Sequence, residues 1–253
     1  MNKTLIACLL LFATSVFAGD GALTVTPAVV QLRGSFGQST TQTMMITNGT
    51  SQPFTFEMVA QDVTVKNGTR TFVEAGERAG SIAATAVYSR RVVQVRPGES
   101  ERVDVTLTIP TDSPFRGVVV IFRGTNKVMT GPVPMLASIG TLFTFALSDT
   151  LDVNAEPLNV TPQSASANLS MTQWCANRGT EPVVAKGIAA ILDGSGALVG
   201  RMNLTPKRLL PGERAEVSGE YGGELPPGRY KLLVTYDLDG QKSITSAADL
   251  DVK

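Results

Sequence analysis

The sequence predicts an all-β protein built as two tandem β-sandwiches, and three observations carry that reading. One turn-forming stretch occurs twice: Arg96-Pro97-Gly98-Glu99-Ser100-Glu101-Arg102-Val103 and Leu210-Pro211-Gly212-Glu213-Arg214-Ala215-Glu216-Val217 share Pro-Gly-Glu-x-x-x-Val. Proline presets φ at the first corner of a tight turn and glycine supplies a permissive second corner, so each copy reads as a turn between two strands. Upstream of each copy stands another pair of related turns, Thr47-Asn48-Gly49-Thr50 and Asn177-Arg178-Gly179-Thr180. Two similar β units in tandem are the simplest explanation. The third observation is that short alternating segments with turn residues between them fill the chain, and no amphipathic helix of useful length interrupts them.

Taken in order, Leu23 to Leu32 is a first strand broken at Pro27, where a missing N–H is tolerable only at an edge or at a switch between sheets. Thr41 to Thr47 is rich in β-branched residues and ends at the turn signal Asn48-Gly49. Phe54, Phe56, Met58 and Ala60 alternate with Thr55, Glu57 and Val59, the pattern of a half-buried strand. Val63 and Val65 lead into Asn67-Gly68, a two-residue hairpin that returns through Phe72 and Val73. Gly76 to Ser89 reads either as a short helical turn or as a segment lying across the sandwich. Val92 to Val95 then enters the first Pro-Gly-Glu turn, and Val103, Val105, Leu107 and Ile109 alternate beyond it. The gap from Asn48 to Pro97 is longer than that from Asn177 to Pro211, which places surplus residues of the first unit between Asp62 and Arg91. Such an insertion is one place to look for function, an extra hairpin being the plainer reading.

Gly117 to Phe122 is a continuous apolar run suited to a central strand. Leu136 to Leu147 closes the first unit. Ala137, Ile139, Phe143, Phe145 and Leu147 lie on one of its faces, and Ser138, Gly140, Leu142, Thr144 and Ala146 on the other. Those small residues admit another strand or sheet closely, although contact with a neighbouring core strand explains them equally well. Apolar density drops from Thr150 to Ser166, which sets a boundary near Ser148-Asp149. The second unit offers strands within Ala167 to Cys175, Val183 to Leu192, Leu198 to Leu204, Ala215 to Gly219, Tyr230 to Tyr236 and Ile244 to Val252, with hairpin signals at Asp193-Gly194 and Asp239-Gly240.

Residues 1–18 read as a signal peptide. Met1-Asn2-Lys3 is a short basic start, Leu5 to Phe12 is mostly apolar, and Val16-Phe17-Ala18 offers small residues for cleavage after Ala18. A lipid attachment at Cys8 is the lesser alternative, since little apolar sequence precedes it. No later run reaches the ~18 apolar residues of a membrane span, so a non-transmembrane exported chain is expected. The remainder divides into domains 19–148 and 149–253, each long enough to bury its own core.

Composition excludes several chemistries. The chain has 22 Lys and Arg against 22 Asp and Glu, which leaves no electrostatic footprint for nucleic acid. It has no histidine, so Ser-His-Asp triads, Cys-His pairs and histidine zinc sites are excluded. Cys175 is the only cysteine beyond the leader, in the apolar context Trp174-Cys175-Ala176, where a buried inert thiol is expected. The glycines of Gly194 to Gly200 are spaced wrongly for a dinucleotide fingerprint, and Asp237-Leu238-Asp239-Gly240 lacks the later ligands of a calcium loop. No cofactor, metal site or catalytic residue is expected, and the chain reads as a non-enzyme.

The stretches Leu23 to Leu32, Thr47-Asn48, Pro97-Gly98-Glu99, Val103 to Ile109, Pro114-Phe115-Arg116-Gly117-Val118-Val119 and Leu136 to Leu147 together resemble the N-terminal domain of periplasmic pilus-assembly chaperones with the PapD-like fold. They also resemble immunoglobulin-like modules of bacterial exported proteins. Asn177-Arg178-Gly179-Thr180, Leu210-Pro211-Gly212-Glu213 and Leu225-Pro226-Pro227-Gly228-Arg229-Tyr230 resemble bacterial immunoglobulin-like adhesion or spacer modules. The resemblance implies two tandem immunoglobulin-like β-sandwich domains in the periplasm. It further implies a partner that is another exported protein or fimbrial subunit, assisted in assembly by edge-strand pairing. Such chaperones anchor a subunit's C-terminal carboxylate on a basic pair between the domains. Neither Leu23 to Leu32 nor Leu136 to Leu147 contains a basic residue, so Arg116 and Arg123 are the candidates for that grip, with Ile139, Leu142 and Thr144 on the pairing strand. The alternative function is a structural or cell-wall spacer that lends no strand.

Overall fold

The computed structural model describes residues 21–130, 133–162 and 168–253. The expected signal peptide at 1–18 lies outside them. The first unit contains β1 (Leu23–Thr26), β2 (Val29–Arg33), β3 (Ser39–Asn48), β4 (Phe54–Lys66), β5 (Thr69–Glu74), β6 (Val87–Tyr88), β7 (Val92–Val95), β8 (Ser100–Thr108), β9 (Gly117–Gly124), β10 (Val128–Thr130), β11 (Val133–Met135) and β12 (Ser138–Ala146). The second contains β13 (Val153–Ala155), β14 (Asn159–Thr161), β15 (Leu169–Asn177), β16 (Val183–Asp193), β17 (Leu198–Asn203), β18 (Lys207–Leu209), β19 (Arg214–Tyr221), β20 (Gly228–Leu238) and β21 (Lys242–Val252).

In the first unit a four-stranded sheet in the order β1-β3-β8-β6 faces a six-stranded sheet in the order β2-β12-β9-β4-β5, with β7 paired to β4. Phe56, Phe122, Phe143 and Phe145 from the larger sheet meet Met44, Ile46, Val103, Val105 and Leu107 from the smaller one in a single buried cluster. The chain leaves one sheet for the other at Pro27: β1 pairs with β3, and β2 pairs in parallel with β12. Both readings of Gly76 to Ser89 are realised, since a 3₁₀ turn at Ala83–Thr85 is followed by β6, which crosses to pair with β8. The second unit stacks a sheet of β13, β14, β15 and β19 on a sheet in the order β17-β16-β20-β21, with β18 paired to β16. Its separate core gathers Leu169, Met171, Ile191, Val217, Leu232, Val234 and Tyr236. Among the described residues no sheet takes strands from both units.

The internal repeat holds down to single hydrogen bonds. Asn48 and Asn177, buried at 0% and 2% exposure, end equivalent strands. The Asn48 amide donates to the carbonyls of Gln52 and Val95, and the Asn177 amide to those of Glu181 and Leu209. Gly98 N–H donates to the Asn48 carbonyl at 2.7 Å, and Gly212 N–H to the Asn177 carbonyl at 2.9 Å. The glutamate of each Pro-Gly-Glu turn closes its own turn, with Glu99 accepting from Arg96 N–H and Glu213 from Leu210 N–H. Buried backbone groups must be paired, and here one asparagine pairs what the turn leaves over. The Asn67-Gly68 hairpin also forms as expected, with φ of 53° and 77° at its two corners, the signature of a type I′ turn.

Three buried polar groups are satisfied within the units. The Asp62 carboxylate, fully buried, accepts from the Ser81 hydroxyl and from Ile82 and Ala83 N–H, which anchors the 3₁₀ turn. Tyr236 donates to Gln173, which in turn donates to the Glu156 carbonyl and to Ser246. Cys175 is buried as expected, and burial pushes its thiol up. Among the described residues no helix is long and apolar enough to cross a membrane, and no cluster of three acidic or sulfur ligands could hold a metal.

Candidate functional site: a cleft face with an open strand edge

Successive side chains of a strand point to opposite faces. In the six-stranded sheet Phe56, Met58, Val118, Val120, Phe122, Phe143 and Phe145 fill the core. Their neighbours therefore face outward. The register sets Leu142 beside Val29 and Val119, and Gly140 beside Ile121, which itself stands beside Val59. The outward face thus carries an apolar strip, bordered by Gln61 beside Val119 and by Glu57, Arg123 and Ser138 farther along. A Cβ at Gly140 would lie 3.2 Å from both Val119 and Ile121 side chains and 2.7 Å from the Val120 carbonyl, so its neighbours already fill the space a side chain would need.

The strip runs down to the junction of the two units, where Leu210 lies against Gly117. At its foot, Thr144 stands beside Gln31 in the register, and Arg208 of the second unit reaches to within 3.5 Å of the Thr144 hydroxyl. Gln31 donates to Asp239 of the second unit at 3.3 Å. Arg208 is half-buried and has no ion-pair partner among the described residues. Burial lowers its pKa, Asp239 raises it and Arg70 lowers it further. A half-buried guanidinium that is not tied into an ion pair can donate to an anionic group brought to it.

The edge of β12 is open for part of its length. Leu142 N–H donates to the Ala28 carbonyl, and β2 then pairs with the strand from Leu142 to Ala146. Ahead of Leu142, among the described residues, β9 alone pairs with β12, from Ser138 onward. Backbone groups alternate sides along a strand, so the N–H and C=O of Ser138 and Gly140 point the same way as those of Leu142, away from β9. Among the described residues they meet no strand there.

The sequence-predicted residues fall in different places. Leu142 belongs to the apolar strip, but its own backbone is already paired to β2, and Thr144 is buried at the foot of the strip. Ile139 faces inward and packs on the first core. Arg116 and Arg123 do not converge, because β9 separates them by seven residues, roughly 23 Å at ~3.3 Å per residue. Arg123 pairs with Glu57 at 2.7 Å on the surface. Arg116 donates to the carbonyls of Ser113 and Phe115, lies over the Phe36 ring, and places Nε 3.4 Å from Glu181, off the axis of a hydrogen bond. Arg116 and Arg123, the two arginines flanking the apolar run of β9, thus stand apart, each with partners of its own. Arg208 escaped sequence reasoning because only its position just ahead of the second Pro-Gly-Glu turn marks it.

No family model and no curated protein matches the sequence. Solved structures of similar shape include a class 5 fimbriae chaperone, CfaA, at 14% identity and TM-score 0.43, covering 92% of this chain and 99% of that one. A chain of the CsuC-CsuE chaperone-tip adhesion subunit complex from Acinetobacter baumannii matches at 10% identity and TM-score 0.43, covering 90% of this chain and 98% of that one. A chain of the Salmonella enterica SafA pilin complex with the SafB chaperone matches at 9% identity and TM-score 0.39, covering 91% and 96%. Both the identities and the superposition scores are low.

Proposed function

We propose that this chain is an exported, non-enzymatic, chaperone-like protein of the periplasm. It holds a strand of another exported protein, such as a fimbrial subunit, against the open edge of β12. The observation that carries this reading is the coincidence of three features on one face: the backbone of Ser138 and Gly140, which no described strand pairs on the side away from β9, the apolar strip of Val29, Val59, Val119, Ile121 and Leu142, and the half-buried Arg208 at its foot. An incoming strand finds backbone hydrogen bonds at the edge and apolar contact beside it. Arg208 then takes the carboxylate role that the sequence had assigned to Arg116 and Arg123. Because β2 occupies the edge from Leu142 onward, the partner strand enters ahead of Leu142 or displaces β2.

The test is affinity purification of the mature protein from the periplasm of its native host, with mass spectrometry of what accompanies it. A stoichiometric exported subunit is expected, lost on Leu142→Lys while the far-ultraviolet circular dichroism stays unchanged. Recovery of the protein alone, or with cell-wall fragments, would favour the structural spacer instead.

A further inference from the structure

The surplus residues of the first unit and the second Pro-Gly-Glu turn meet. The tip of the β4–β5 hairpin, Asn67-Gly68, reaches across to the second unit, where Arg214 N–H donates to the Gly68 carbonyl at 3.1 Å. A Cβ at Gly68 would lie 3.3 Å from that of Arg214, and one at Gly212 would lie 3.8 Å from Val65. Arg70 places Nε 2.8 Å from Glu213, and its terminal nitrogen donates to the Arg208 carbonyl at 2.8 Å. The Nε contact is off the hydrogen-bond axis, so it acts as a charge pair. The landing point is itself fixed: Arg214 makes two bonds of 2.7 Å to Glu156 and stacks 4.0 Å over the Trp174 ring.

The apolar contact between the units is incomplete. A cavity of about 160 Å³ remains at the junction, lined by Val63, Val65, Phe115, Arg116, Leu210 and Pro211. Neighbouring domains move relative to one another unless a large apolar interface or directional contacts prevent it. We propose that the β4–β5 hairpin is a strap that locks the angle between the units and, through Arg70, holds the β18 backbone that carries Arg208. The link to partner binding rests on the chaperone-like reading; the lock itself does not.

The test uses spin labels on the full mature chain at S51C and S243C, two exposed positions in different units, with the buried Cys175 left in place. Pulsed dipolar spectroscopy is expected to give one narrow distance distribution, which broadens about two-fold in Arg70→Ala and in Glu213→Gln as the units gain freedom. Glu213→Gln keeps an acceptor for Leu210 N–H, and circular dichroism with each variant's melting curve shows whether the sandwiches stay folded. Unchanged narrow distributions in both folded variants would overturn the strap. Broadening in a protein that never captures a subunit would keep the strap and remove the chaperone-like reading. Capture that survives while the distances stay narrow in both variants would do the reverse.

Discussion

At the scale of single residues, the two buried asparagines hold the molecule's turns. Replacing Asn48 or Asn177 by alanine leaves buried carbonyls without donors, at a cost of about 3 kcal/mol each, by analogy with other buried unsatisfied groups. Chemical denaturation should read this as a lower midpoint with little change in slope. Asp62 makes a pH-dependent contribution. Burial raises its pKa above 3.8 although three hydrogen bonds oppose the shift. A carboxyl whose folded pKa is raised stabilises the fold fully below its unfolded pKa, and that contribution fades as pH rises through the folded value. The stability of the wild type minus that of Asp62→Asn should therefore be most favourable near pH 3.8 and decline toward neutrality. Denaturant melts across that range would check the sign, and a difference that grew with pH would contradict it. Neither role was legible beforehand: Asn48 read only as a turn former, and Asp62 only as the start of the surplus stretch.

At the scale of elements, most strands were legible because their alternation and turn residues are local signals. The broken first strand, the hairpin at Asn67-Gly68 and the two faces of Leu136 to Leu147 all follow from residues close in sequence. What escaped was pairing. Nothing local says that β2 runs beside β12 from Leu142 onward. Two variants separate the strip from the edge. Ser138→Pro removes a donor that faces no strand, so it should abolish subunit capture while lowering stability by less than about 1 kcal/mol, as proline on an edge strand is tolerated. Val119→Asp should weaken capture through the strip while leaving the Ser138 and Gly140 backbone free. Pull-downs with circular dichroism distinguish lost capture from lost fold.

At the scale of the whole molecule, the tandem plan was written in the repeated Pro-Gly-Glu turns, and the two separate cores follow from it. The junction was not legible, because Arg70 and Glu213, or Arg116 and Glu181, are joined only once both sandwiches exist. Glu181 shows why such contacts matter: nearly fully buried, it accepts from the Leu147 backbone and the Ser148 hydroxyl of the connecting segment as well as facing Arg116. The same rigidity would suit a spacer, and Arg208 separates the two functions. A carboxylate held by a charged hydrogen bond is worth about 1.5–3 kcal/mol, so Arg208→Ala should weaken subunit binding roughly ten-fold or more, with the loss shrinking as salt rises.

The most direct measurement is amide hydrogen exchange at Ser138 and Gly140 in the protein alone and in the complex recovered from the periplasm. Strand capture predicts that both amides exchange readily in the free protein and become protected together in the complex, while the β9-facing amide of Phe145 stays protected throughout. Exchange at Ser138 and Gly140 that is the same in both states would contradict edge pairing, whatever else the partner touches.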